Sequence, residues 1–121
     1  MPLERTLAAG SQRDIHYHLI TKDYVGSAMV VRGRCFFAGI VMTALNGDAD
    51  VEVVFNIWDS DGTLPLSGAR LVPRTFKKVF NAGEDNFFAL SYDPPVRAVR
   101  GIYVELASVT GRVYYQVLYD Q

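Results

Sequence analysis

Cysteine is almost missing from this chain: Cys35 is the only one among 121 residues, so no disulfide can form within it. It lies in the apolar stretch Arg34-Cys-Phe-Phe-Ala-Gly-Ile-Val-Met, the setting of a small buried hydrophobe rather than of a reactive thiol. Small domains without a disulfide framework suit a reducing cytoplasm, and that is the expected compartment of folding. A charge of one sign is missing too. Twelve basic and thirteen acidic residues leave a net charge of −1, without the electrostatic footprint of a nucleic-acid binder. The longest apolar run, Cys35 to Leu45, is too short to span a bilayer as a helix and contains Gly39 and Thr43. The opening MPLERTLAAGSQRD has no apolar segment of the secretory kind.

Signatures of catalysis are equally scarce. No Gly-x-Ser-x-Gly elbow, phosphate loop or dinucleotide fingerprint occurs. Carboxylates that could pair as a glycosidase dyad, such as Asp48, Asp50 and Asp61, sit in turn sequences with nothing to mark them. The reading is therefore not an enzyme, with no catalytic residue, no metal and no cofactor assigned.

What is present is β-structure. Half of the residues are hydrophobic and 21% are charged, enough for one folded domain with a single core. Residues 1–13, with Pro2, Gly10 and Ser11, read as an extended N-terminal arm, in which Leu3 and Leu7 could form at most one helical turn. Residues 14–121 read as the domain. Ile15, Tyr17 and Leu19 alternate with His16 and His18, and Ala28 to Val31 is a short apolar run. Residues 35–45 are apolar on both faces, as in a strand central to a sandwich or half covered by a partner. After the turn Asn46-Gly47-Asp48, Val51, Val53, Phe55 and Ile57 alternate with polar residues. Residues 60–74 read as a loop, Phe76 to Phe80 as a strand, and Phe87 to Tyr92 as another that Asp93-Pro94-Pro95 should stop. Ile102 to Leu106 and Val113 to Tyr119 complete about eight strands without an amphipathic helix. The expected fold is all-β: an antiparallel β-sandwich, jelly-roll-like, with the N-terminal arm.

Four features invite a functional reading. The string Asp59-Ser60-Asp61-Gly62 opens like a calcium loop, but the twelfth position, which should be a closing glutamate, is Arg70. A turn that ends the strand through Trp58 explains it better, with an irregular calcium site as the alternative; Trp58, Asp59 and Asp61 then form a candidate contact loop. His16 and His18 share one strand face, a spacing that could hold zinc or copper but is better read as exposed or interfacial. Arg70, Arg74, Lys77 and Lys78 form a basic cluster with Glu84 and Asp85 just beyond it, as on an edge strand guarded by lysines. Tyr103, Tyr114, Tyr115 and Tyr119 crowd the last two strands, and tyrosine is enriched at protein interfaces. The candidate partner interface is thus Leu3, Leu7, His16, His18, Tyr103, Tyr114, Tyr115 and Tyr119.

The order of these features is itself suggestive. A long apolar strand with an internal glycine, RCFFAGIVMTALNG, precedes a strand ending in an acidic turn, VVFNIWDSDG. The chain then closes on a Gly-led strand and hairpin, VRGIYVELASVTGRVYYQVLYDQ. This resembles the small β-sandwich structural proteins of tailed bacteriophages, of the capsid decoration, head-fibre or neck and tail accessory type. Asp59 to Gly62 and Gly101 to Val104 carry the match, whereas Trp58 and Cys35 have no counterpart in the pattern. The resemblance implies a non-enzymatic virion protein, folded in the host cytoplasm, oligomeric, and bound to other virion proteins such as a major capsid, neck or tail subunit. A reading from a different class is a carbohydrate-binding sandwich, with Trp58 and the tyrosines stacking on sugar rings and Asp59 and Asp61 holding hydroxyls or calcium.

Overall fold

A computed structural model describes residues 18–19, 24–44, 50–64, 66, 69–82 and 87–121, the first pair through its backbone. The arm at 1–13 and the candidates Leu3, Leu7 and His16 lie outside the described residues. Among the described residues eight strands follow one another: β1 (His18–Leu19), β2 (Ala28–Arg32), β3 (Cys35–Ala44), β4 (Val51–Asp59), β5 (Phe76–Phe80), β6 (Phe87–Ala98), β7 (Gly101–Val109) and β8 (Val113–Asp120). They form two four-stranded sheets, β1-β8-β3-β6 and β2-β7-β4-β5, with every pairing antiparallel.

That order has a simple origin. Strand β1 pairs with β8, β2 with β7, β3 with β6 and β4 with β5, as though one long hairpin folded at residues 60–75 had been rolled into two layers. It is the winding of a jelly roll. The sheets close on each other because each strand's alternation turns one face inward. The first sheet contributes Phe37, Ile40, Met42, Val113, Tyr115 and Val117 to the core. The second contributes Val53, Phe55, Ile57, Phe80, Ile102 and Val104. Phe55 stacks on Phe76 at 5.0 Å within its own sheet and meets Phe88 of the opposite sheet edge-on at 6.1 Å, joining the layers. Each such ring buried contributes roughly 1.5–3 kcal/mol.

Two places depart from the local expectations. Strand β6 does not stop at the prolines. Its register with β3 jumps from Gly39↔Ser91 to Phe37↔Val96, so Tyr92-Asp93-Pro94-Pro95 bulges out opposite Ala38 and the strand resumes to Ala98. The prolines are tolerated because β6 is the edge of its sheet, where a missing N–H breaks no ladder. Gly39 admits the bulge, since a Cβ there would run into the Leu90 carbonyl oxygen. The segment after β4 is also less loose than its composition suggests. Ala69 to Val72 folds back along the strand: Asp59 N–H donates to the Ala69 carbonyl at 3.1 Å and Leu71 N–H to the Ile57 carbonyl at 2.8 Å. Leu71 and Val72 are buried by this return.

The basic cluster falls along the resulting edge. β5 closes the second sheet, Lys77 pairs with Glu52 at 3.2 Å, and Lys78 lies over the Phe80 ring at 5.8 Å. Arg74 covers Phe76 at 5.1 Å. These are local partners on a guarded edge.

Candidate functional site

The acidic turn is built around its own backbone. Asp59 ends β4, and its carboxylate reaches the turn between β6 and β7, accepting from Val99 N–H (3.0 Å), Arg100 N–H (2.7 Å) and Gly101 N–H (3.3 Å). Beside it, Gly33 N–H donates to the Arg100 carbonyl at 2.9 Å, so the turns after β2 and β6 are knitted at the same end of the sandwich. Ser60, 1% exposed, accepts from Gly62 N–H at 3.0 Å, and Asp61 accepts from Thr63 N–H at 3.0 Å. The Thr63 bonds hold the Asp61 carboxyl below its usual range. Calcium asks for six to eight convergent oxygens. Here the carboxylates turn toward amides, and among the described residues no three His, Cys, Asp or Glu side chains gather where a metal could sit. Of the candidate contact loop, Asp59 directs its oxygens to a turn forty residues away, while Asp61 stays at the surface.

Trp58 looks the other way, onto the outer face of the second sheet. Its partner in β7 is Tyr103, Met29 of β2 lies beyond that, and Arg70 bridges to it on the other side. The Arg70 guanidinium stands over the indole at 5.5 Å. Glu105 Oε1 accepts from both Trp58 Nε1 (2.9 Å) and Asn56 Nδ2 (3.0 Å), and Thr75 Oγ1 donates to Asn56 Oδ1 at 2.7 Å. The sequence showed Asn56 and Glu105 only as polar positions in alternating strands. What it did not show is their cross-strand pairing, which depends on β4 and β7 being neighbours.

The outer face of the first sheet is different in kind. Alternation and register set out three rows across β6, β3 and β8: Phe87–Thr43–Tyr114, Ala89–Val41–Gln116 and Ser91–Gly39–Leu118. None of these nine residues carries a charge. Phe87 is 55% exposed. A shallow depression of about 270 Å³ opens among Val41, Thr43, Tyr114, Tyr115 and Gln116. Toward the start of β3, charge returns in the row Arg97–Phe36–Asp120.

The four tyrosines expected at one interface are therefore divided. Tyr114 lies on the outer face of the first sheet and Tyr103 on that of the second, on opposite sides of the sandwich. Tyr115 is a correction: it is 1% exposed, stacks on Tyr24 at 5.5 Å and donates to the Gly26 carbonyl at 2.7 Å. Burial raises its phenol well above the usual range. Tyr119 pairs with Phe37 and packs against the core, and burial raises its phenol as well. His18 pairs with Tyr119 in β1, and its companion His16 is outside the described residues. Cys35 is buried, and burial, with a smaller push from the Asp59 carboxylate, raises its thiol to about 11. A thiol held in that state is a packing residue rather than a nucleophile.

No protein-family model matches the chain, and no curated protein or solved structure matches it.

Proposed function

We propose that this chain is a non-enzymatic assembly subunit of the virion type, a decoration or accessory protein that binds another virion protein. The observation that carries the reading is the uncharged outer face of the first sheet, where nine neighbouring positions include Phe87, Tyr114, Val41 and Leu118. Interface cores are depleted of charge and enriched in aromatic residues, and this face has Phe87 and Tyr114 with no charge among its nine positions. The second sheet supplies an internal contrast, since Glu52, Lys77, Arg70 and Glu105 interrupt its outer surface. The winding fits as well, because capsid proteins use jelly rolls, although lectins and cupins do too. The virion setting and the host cytoplasm as place of folding come from the order of sequence features. The arm at 1–13 is the expected second point of attachment.

Particle association tests this directly. Virions purified from the source should contain the chain, and tagged protein should co-sediment with particles lacking it. Tyr114→Arg should abolish co-sedimentation while leaving the melting temperature within about 2 °C, the usual range for a surface change. Absence of the chain from purified particles would remove the virion reading, and full binding by Tyr114→Arg would remove the face.

One observation favours a second reading, a carbohydrate-binding module. Trp58 and Tyr103 are adjacent on one face, with the Glu105 carboxylate and the Arg70 guanidinium beside them, groups that stack on and hydrogen-bond to sugars. In a calcium-assisted form Asp59 would have to leave its turn. Trp58 is the only tryptophan, so its fluorescence reports directly on binding from a panel of neutral and acidic oligosaccharides, with and without calcium. A flat response across the panel eliminates this reading.

A further inference from the structure

We propose that the N-terminal half of β6, Phe87 to Ser91, pairs antiparallel with the same segment of a second copy about a two-fold axis through Ala89, joining two first sheets into one eight-stranded sheet. The inference goes beyond the binding of a different protein to the sheet face, and it stands whether or not that reading does.

The argument starts from how the edges of the two sheets are treated. A sheet edge presents unpaired amides and carbonyls, and folded proteins blunt it with charge, short strands, bulges, prolines or a covering segment. Three of the four edges here are blunted. β5 has five residues with Lys77 and Lys78 at its centre. β2 has five residues, a register irregularity between Met29 and Val31, and Arg32 at its end. The free side of β8 is covered by β1 at Leu118 and Tyr119 and by a two-way backbone bridge to Tyr24 at Tyr115. The fourth edge, β6, is blunted only in its second half, where Tyr92 to Pro95 bulges away. From Phe87 to Ser91 it has neither charge nor proline nor bulge, and among the described residues β3 is its only strand partner.

The segment also suits itself. Phe87, Ala89 and Ser91 face outward, while Phe88 and Leu90 face inward and are only partly buried, packed against the core. Side chains directly opposite in a ladder must share a face, so a one-residue slip would set outward residues against inward ones. Centring on Ala89 meets that condition and uses all five residues: Phe87 opposite Ser91, Phe88 opposite Leu90, and Ala89 opposite Ala89 of the partner copy. The Phe88–Leu90 pairs would cover apolar surface at the rim of both cores. Ala89 is small enough for the strands to approach at their axis, and the uncharged rows of the two outer faces become continuous. A contact of this size should be modest, with a dissociation constant in roughly the micromolar range.

Sedimentation velocity on the full chain tests the pairing through charge at the axis. The wild type should be dimeric at about 100 µM. Ala89→Lys and Ala89→Glu, each at an exposed position, should each be monomeric with melting curves close to wild type. Like charges would stand roughly 5 Å apart at Cβ across the axis. An equal mixture of the two variants should recover a dimer, and that recovery should weaken with salt. If either variant fails to fold, Ser91→Lys, which faces Phe87 of the other copy, takes its place as the monomeric form. A wild type that stays monomeric to about 1 mM overturns the proposal. So does a dimer untouched by both Ala89 variants. A mixture that stays monomeric overturns the two-fold register.

Discussion

Replacing Asp59 by alanine removes a carboxylate that holds three successive amides of the turn between β6 and β7. Two of those contacts are short, 2.7 Å to Arg100 N–H and 3.0 Å to Val99 N–H, and the third, 3.3 Å to Gly101 N–H, is marginal. A hydrogen bond to a charged group contributes roughly 1.5–3 kcal/mol. The turn is exposed, so water can take over part of the lost bonding, and the lower end of that range applies to each short contact. The sum is about 2–3 kcal/mol, a large share of a domain's 5–15 kcal/mol. At roughly 4 °C per kcal/mol for a chain of this size, the melting temperature should fall by about 8–12 °C. Asp59→Asn keeps one acceptor oxygen and loses the charge, so it should fall about half as far. Urea denaturation followed by Trp58 fluorescence, in EDTA and again in calcium, is the matching assay, with the midpoint shifted and the slope unchanged. A change below about 2 °C for Asp59→Ala would refute the clamp. A loss that appears only in calcium would restore the metal reading of this turn.

Gly101→Ala should cost more than Gly33→Ala although both glycines have positive φ. A Cβ at Gly101 (φ +140°) runs into the Val31 carbonyl, whereas one at Gly33 (φ +93°) meets nothing within 4 Å. Chemical denaturation should give at least about 2 kcal/mol for the first and about 1 kcal/mol for the second, and the reverse order would refute the account. Stability should also fall in alkali. The Cys35 thiol, ordinarily near 9.0, is raised to about 11 by burial and then by Asp59, so ionisation favours the unfolded chain. The urea midpoint should be level below about pH 9, fall as the pH rises toward 11, and lose part of that slope in Cys35→Ala. Tyr24, Tyr115 and Tyr119, whose phenols burial also raises, act in the same direction at higher pH. A midpoint that holds or rises through this window would contradict it.

The period-two alternation made most strands legible from composition along the chain. Val51, Val53, Phe55 and Ile57 mark β4, and Val113 and Val117 mark β8 with Tyr115 in phase between them. That phase already placed Tyr115 inside, and the aromatic count obscured it. Strand β6 ran past its prolines because the rule against proline in a ladder depends on which neighbour the strand has, and only the assembled sheet decides that. The same holds for the acidic turn. Its residues announced a strand end, but the amides that Asp59 serves are brought to it by the pairing of β4 with β7. The outer face of the first sheet was half legible, since residues 35–45 read as apolar on both sides. Its breadth required knowing that β6 and β8 flank β3.

The winding also sets when the molecule can fold. Strand β8 is inserted between β1 and β3, so the first sheet has a gap at its centre until Val113 to Asp120 have been synthesised and have left the ribosome. A nascent chain that has emerged only as far as β7 can complete the second sheet but leaves the inner face of β3, with Phe37, Ile40 and Met42, short of its neighbour. The first sheet therefore closes only once β8 is in place. A fusion or a translational stall placed before Val113 would leave that apolar inner face of β3 exposed.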